Sequence, residues 1–202
     1  MLNTLCNPTF RHLFSAQLVA LLGTGLATLA LGLLAWHLAG DNAGAVLGTA
    51  LAIKMVAYVT LAPVAAAIAE RLPRRAFLVV LDLIRAGVIA WLPFVDQVWQ
   101  VYVLIFFLQA ASAGFTPAFQ AVIPDVLKDE ENYTNALSLL RLTEDLEQLA
   151  SPMMAALLLT VVSFPVLFAG TVFGFLASAL LVVTAQLPDR VRSEDSHFWA
   201  DV

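Results

Sequence analysis

A row of charged side chains interrupts the otherwise apolar segment LLRLTEDLEQLASP, which begins at Leu139. On an α-helix six positions, five of them polar, fall within an arc of about 120°, and Glu147 widens the arc to about 160°. The six positions are Arg141, Glu144, Asp145, Gln148, Ser151 and Pro152. Four charges exposed to lipid would cost on the order of 10 kcal/mol, so this face must meet water or protein.

Three roles for this face remain open. In the first, Arg141 to Asp145 project beyond the membrane and are solvated. In the second, the charges form purely structural pairs. Alternatively Glu144, Asp145 or Glu147 faces a cavity, pairs with Lys54, and takes part in proton coupling or in cation recognition.

Charged residues also occur inside two other apolar segments. Lys54 lies near the middle of one of them, with Tyr58 one turn onward. Asp82 and Arg85 are three residues apart, so they can pair on one helix face. That pair is either structural and near a membrane edge, or part of a set of coupling charges.

Uncharged polar residues share a helix face in two further segments. They are Gln17, Thr24 and Thr28 near the N-terminus, and Gln109, Ser112, Thr116 and Gln120 near the middle of the chain. Such residues either face a polar ligand or help helices pack closely.

Several classes of function are excluded by the residues present. A formal net charge of -5 leaves no basic face for nucleic acid. Three scattered histidines and one cysteine give no metal-ligand spacing and no internal disulfide. No phosphate-binding glycine loop and no membrane-protease motif is present. We therefore expect neither enzyme activity nor a cofactor or metal.

The elements that position these residues are predicted to be membrane-spanning helices. Hydrophobic residues make up 61% of the chain, against about 45–50% in soluble domains. Six runs reach the length of about 20 residues that a span requires. They are Leu13–Leu38, Ala45–Ile68, Ala76–Phe94, Val98–Thr116, Leu137–Phe164 and Val166–Leu187. The sequence thus predicts an all-α membrane protein with six transmembrane helices.

Basic residues predict the orientation of these helices. Alternate connections carry Arg11, Arg71, Arg74, Arg75, Lys128, Arg190 and Arg192. The intervening connections contain neither Lys nor Arg, which places the basic side and both termini in the cytoplasm. Trp36, Trp91, Trp99 and Tyr102 fall at the opposite ends, where aromatic rings favour the headgroup level. We expect a multi-pass protein of the cell inner membrane.

The stretch AERLPRRAFL, between the second and third predicted helices, resembles the loop 2–3 signature of the major facilitator superfamily. That signature reads Gly-x-x-x-Asp-Arg-x-Gly-Arg-Arg-x-x-Leu. Its register runs here from Ala66 to Leu78, with Ala66, Glu70 and Pro73 replacing Gly, Asp and Gly.

Other segments are similar to the drug- and siderophore-exporter branch of that superfamily, which includes enterobactin and macrolide exporters. LDLIRA at Leu81–Ala86 resembles an Asp-x-x-Arg element in the third helix. TPAFQAVIPDVL at Thr116–Leu127, followed by NALSLL, resembles Pro-Ala-x-x-Ala-x-x-Pro and Ala-Asn-Ala. ASPMMAAL at Ala150–Leu157 resembles the Gly-Pro turn of the fifth helix.

The resemblance implies a proton-driven secondary active exporter of small amphipathic molecules, an antiporter that works by alternating access. It assigns Glu70, Arg71, Arg74 and Arg75 to a conformational latch. Because the first and fourth helices line the cavity in this family, it makes Gln17, Thr24, Thr28, Gln109, Ser112 and Thr116 candidates for the substrate cavity. The charges at Lys54, Asp82, Arg85, Arg141, Glu144, Asp145 and Glu147 become candidates for proton coupling.

Members of this family have two six-helix halves, and this sequence has one. We expect a cytoplasmic N-terminus (1–12), a six-helix bundle (13–187) and the start of a central connector (188–202). The expected partners are the lipid bilayer, a small-molecule substrate and a second six-helix half, either a separate chain or a second copy. A truncated or split transporter, a dimerising half, and a remnant bundle with an interaction or structural role without transport all remain open.

Overall fold

The computed structural model describes residues 2–69, 72–161 and 164–185, which are helical and contain no strand. The helices are Pro8–Ala39 (α1), Ala43–Ala69 (α2), Arg74–Trp91 (α3), Val98–Gln120 (α4), Ile123–Val126 (α5), Glu130–Leu159 (α6) and Phe164–Thr184 (α7). Short 3-10 turns occupy Leu2–Cys6, Gly40–Asn42 and Leu92–Phe94.

Local sequence signals set the ends of the long helices. The Asn7 side chain accepts hydrogen bonds from the first turn of α1, whose first residue is Pro8. α1 stops at Gly40, whose φ of 52° is readily adopted only by glycine. Asp129 caps α6 by accepting from the Asn132 amide at 3.0 Å. α1 and α6 therefore begin where a side chain can satisfy free backbone groups of the first turn.

Within the described residues, four stretches are long and apolar enough to cross a membrane. They are Leu33–Ala65, Arg74–Phe94, Val98–Val126 and Val166–Thr184. The predicted all-α class with several membrane spans is therefore confirmed. The count of six spans stays a prediction.

The predicted boundaries of the fifth segment differ from the helix in the structure. α6 begins at Glu130, before the predicted start at Leu137, because its first turn is polar but well capped. It ends at Leu159, and Phe164 already belongs to α7. Hydropathy alone places an edge poorly where a polar helical turn adjoins an apolar one.

Five long helices form a closed ring: α1 packs on α7, α7 on α3, α3 on α4, α4 on α2, and α2 on α1. α6 packs on α1, and its Ala136 and Leu140 are buried in the core. Glycine permits the closest approaches, as small residues do between membrane helices. A Cβ on Gly174 of α7 would lie 3.5 Å from the Val19 carbonyl oxygen of α1, and one on Gly114 of α4 would lie 3.1 Å from the Ala65 Cβ of α2.

The buried apolar side chains form two clusters stacked along the helix axes. We call the one nearer the start of α1 the basal cluster; it comprises Phe10, Leu13, Ala16, Leu78, Leu81, Ala111, Phe115, Ala118, Phe119, Val122, Ile123, Leu127, Ala136, Leu140, Val182 and Ala185. The distal cluster comprises Ala20, Ala27, Ala30, Leu31, Leu34, Ala86, Ile89, Leu92, Val95, Val101, Ile105, Leu108, Leu167, Phe168 and Phe175.

Large apolar side chains also cover the outside of the bundle. Val59 is 76% exposed, Leu149 is 71% exposed and Phe173 is 71% exposed, on three different helices. A soluble monomer rarely exposes apolar side chains on this scale, whereas lipid accommodates them at no cost. The outer surface therefore fits a bilayer.

Candidate functional site

Buried polar side chains separate the two apolar clusters. Gln17 lies between Ala16 of the basal cluster and Ala20 of the distal cluster on α1. On α3 the corresponding interval contains Asp82 and Arg85, and on α7 it contains Ser178. We call these four residues the polar layer. Three helices of the ring thus contribute polar groups at one level of the interior.

Asp82 has both carboxylate oxygens occupied inside this layer. Its Oδ1 forms an ion pair with Arg85 Nη2, one helical turn away on the same face. Its Oδ2 accepts a hydrogen bond of 2.7 Å from the Ser178 hydroxyl of α7. Because Asp82 is fully buried, these two partners offset the cost of removing its charge from water.

Two aromatic rings enclose the Arg85 guanidinium. Its central carbon lies 4.1 Å from the ring centre of Phe115 on α4 and 4.7 Å from that of Phe175 on α7. A guanidinium over a ring face gains electrostatic attraction, which is greatest where water is excluded. Besides its ion pair with Asp82, Arg85 therefore contacts one ring on α4 and one on α7, which links α3 to both helices.

Tyr58 connects this interior with the charged face of α6. It is half-buried on α2, and its side chain hydrogen-bonds with that of Thr116 on α4. It also lies within electrostatic range of Arg85 and of Glu144. The sequence pattern indicates no role for Tyr58, because its neighbours lie on three other helices.

The charged residues of α6 differ in exposure. Glu144 and Glu147 are half-buried, whereas Arg141 and Asp145 are exposed. Lys54 is half-buried on α2, and among the described side chains it forms no ion pair with Glu144 or Asp145. The side chains of Gln148, Ser151 and Pro152 lie outside the described residues.

The candidate cavity residues separate into a buried and a half-exposed group. Gln17 is 5% exposed and Ser112 is 8% exposed, so both lie inside this bundle. Thr24, Gln109 and Thr116 are half-exposed. The Thr28 side chain lies outside the described residues.

The loop 2–3 arginines connect the start of α3 to two neighbouring elements. Arg74 forms an ion pair with Asp125 of α5 and donates a hydrogen bond of 2.6 Å to the Ala121 carbonyl at the end of α4. Arg75 donates to the Ala185 carbonyl, just after α7, at 2.7 Å. Basic side chains at the carbonyl ends of helices are stabilising.

The remaining latch residues, Glu70 and Arg71, lie outside the described residues. Asp125 lies within the TPAFQAVIPDVL stretch, but nothing in that pattern indicates its ion pair with Arg74. The described residues contain no cluster of side chains able to hold a metal ion.

Comparisons with known proteins agree with this architecture. The profile described as Major Facilitator Superfamily matches residues 13–201. Macrolide efflux protein A of Streptococcus pyogenes is 27% identical over 198 residues, which cover 94% of this chain and 48% of that protein. Macrolide efflux protein A of Enterococcus faecalis is 28% identical over 165 residues, which cover 75% of this chain and 51% of that protein.

The chain therefore spans about half the length of the curated relatives it matches. No solved structure matches at a comparable level of significance. The family profile covers nearly all of the helical bundle, and its members are multi-pass membrane proteins. The chain therefore belongs to the major facilitator superfamily.

Proposed function

We propose that this chain is the amino-terminal half of a proton-driven exporter of small amphipathic molecules, drug-like or siderophore-like. The observation that carries the proposal is the alignment of 94% of the chain with 48% of a macrolide efflux protein. A second six-helix half, on a separate chain or in a second copy, completes the transporter. No enzyme activity and no cofactor enter the proposal.

The proposed topology has six spans, formed by α1, α2, α3, α4, α6 and α7. Residues 1–12 and 188–202 lie in the cytoplasm and 13–187 form the bundle in the inner membrane. The alternation of basic connections supports this orientation. The exposure of Trp36, Trp91 and Trp99, each above 60%, supports a headgroup level at the other side.

Transport proceeds in this proposal by rocking of the two halves around a polar site near the middle of the membrane. Residues that bind substrate or carry protons must be reachable from water or from the other half. Half-exposed residues are therefore better candidates for these roles than the buried residues of the polar layer. Glu144 and Lys54 are half-exposed, and Tyr58 lies within electrostatic range of Glu144. Thr24, Gln109 and Thr116 are the matching substrate-facing residues.

The latch residues have two roles in the proposal. Arg74 and Arg75 hold the cytoplasmic ends of α3, α4 and α7 together, as their hydrogen bonds suggest. Glu70 and Arg71 contact the second half when the cytoplasmic side closes. A charge cluster at such a seam is strong when dry and readily hydrated when open.

The test is accumulation of a radiolabelled macrolide in cells that lack their own macrolide pumps. We express the chain alone, and together with any second six-span reading frame directly downstream in its genome. The proposal is supported if cells that express the protein accumulate less macrolide than control cells, and if a protonophore returns accumulation to the control level. If the chain alone produces efflux, and if it has the mass of a dimer after extraction, the second half is another copy of the chain.

The residues are tested in the same assay by Lys54→Ala and Glu144→Gln. The matched control is Lys128→Ala, which removes an exposed lysine from a connection. Loss of protonophore-sensitive efflux in the first two variants, with normal expression, supports their role. Unchanged efflux removes them from the mechanism, and no efflux in any combination favours an interaction or structural role without transport.

A further inference from the structure

Lys54 is a charge near the middle of α2 that this chain leaves without an opposite charge. Its side chain is half-buried, and among the described residues it takes part in no ion pair. The charged neighbours of Glu144 are Arg141 and Asp145, both on α6 itself. A lysine within a membrane span is costly and usually pairs with an acid. For Lys54 that acid must come from outside the described residues.

α6 carries an acid at the same depth as Lys54. In the proposed topology α2 ends, and α6 begins, on the cytoplasmic side. Lys54 lies 15 residues before the last residue of α2, and Glu144 lies 14 residues after the first residue of α6. At 1.5 Å per residue, each is about 21–22 Å from the cytoplasmic end of its helix. A lysine and an acid at equal depth can meet across an interface between two molecules of the same orientation.

α2 and α6 border the same side of the bundle. Both helices pack on α1, and among the described residues they do not pack closely on one another. Tyr58, one turn after Lys54, lies within electrostatic range of Glu144, so both charged faces border that side. A two-fold axis along the membrane normal on this side sets α2 of one copy opposite α6 of the other. Each Lys54 then meets Glu144 of the partner copy.

The two faces are complementary in charge. Lys54 is the only charged residue in the sequence of α2. In α6, Arg141 and the acids at 144, 145 and 147 give a local net charge of -2. A symmetric contact uses the same pair of faces twice, so a second copy supplies the acid that each Lys54 requires.

We propose that the second half of the transporter is a second copy of this chain, joined through α2 and α6 by two symmetric ion pairs between Lys54 and Glu144 of the partner copy. This inference rests on the proposed function, because it names the identity of the second half.

Cross-linking in membranes tests the contact. Two differently tagged chains are co-expressed in a Cys6→Ser background, one with Lys54→Cys and the other with Glu144→Cys, and a short thiol-to-thiol cross-linker is added. We expect a product of two-chain mass that carries both tags. The matched control pairs Lys54→Cys with Phe173→Cys, which is 71% exposed on α7, and should give several-fold less product. Equal yields from both pairs, or no product from the first pair, would overturn the proposal.

Exchange of the two charges separates loss of the ion pair from misfolding. Lys54→Glu or Glu144→Lys alone places like charges opposite one another, so co-purification of two tagged copies should fall several-fold. The double variant with both substitutions restores opposite charges and should recover wild-type co-purification. A double variant that co-purifies as weakly as the single variants contradicts the pairing.

Co-purification and efflux together distinguish this inference from the proposed function. If wild-type copies do not co-purify, but the chain exports macrolide together with a separate six-span chain, the second copy is overturned and the exporter is supported. If wild-type copies co-purify and cross-link as expected, but no combination produces efflux, the contact is supported and the exporter is contradicted.

Discussion

The buried hydrogen bond between Ser178 and Asp82 makes a quantitative prediction for Ser178→Ala. The substitution leaves Asp82 Oδ2 without its donor in a site with no exposure to solvent. A hydrogen bond to a charged group contributes about 1.5–3 kcal/mol, and the small change in side-chain volume adds little. We therefore expect the free energy of unfolding to fall by about 2 kcal/mol, which is about a 30-fold change in the unfolding equilibrium.

The matched control is Thr171→Val on the same helix. Thr171 is also fully buried, but its hydroxyl donates to the Leu167 carbonyl of its own helix at 2.9 Å. Because that carbonyl belongs to the same helix and valine keeps the shape of threonine, the expected loss is below about 1 kcal/mol. Both variants are unfolded by SDS titration of the purified chain in mixed micelles, and tryptophan fluorescence monitors the unfolding. Equal losses would refute the assignment of Ser178 as the partner of a buried charge.

Two further stability predictions concern the ends and the packing of the bundle. In a double-mutant cycle with Arg74→Gln and Asp125→Asn, we expect a coupling of about 0.2–1 kcal/mol, because this ion pair is partly exposed; additive losses would contradict the contact. Gly114→Ala should destabilise by about 1 kcal/mol, because its Cβ would lie 3.1 Å from that of Ala65. Gly87→Ala, whose Cβ would meet nothing within 4 Å, should stabilise by about 0.5–1 kcal/mol. Unfolding curves that rank these two alanine variants in the opposite order would show the close approach of α4 and α2 to be wrong.

The sequence was sufficient for the helical class and for local pairs. Apolar runs predicted the long helices, and the spacing of Asp82 and Arg85 predicted a pair that the structure forms. Both inferences depend only on neighbours along one helix, where a fixed period relates sequence to position. The roles proposed for these residues in transport stay predictions.

The sequence was not sufficient for contacts between helices. Ser178 is 96 residues from Asp82, and no periodicity indicates that their helices are adjacent. The same limit applies to Gln17, whose polar face suggested a cavity although the residue is buried inside the bundle. Helical spacing tells which residues share a face, but the ring order of the helices decides what that face meets.

Side-specific cysteine labelling tests the proposed orientation of the membrane helices most directly. In a Cys6→Ser background, Asp41→Cys, Gln97→Cys and Lys128→Cys each place a single thiol in an exposed connection. We predict that a membrane-impermeant maleimide labels the first two in intact cells and labels Lys128→Cys only after permeabilisation. Labelling of Lys128→Cys in intact cells, or protection of Gln97→Cys, would contradict the topology.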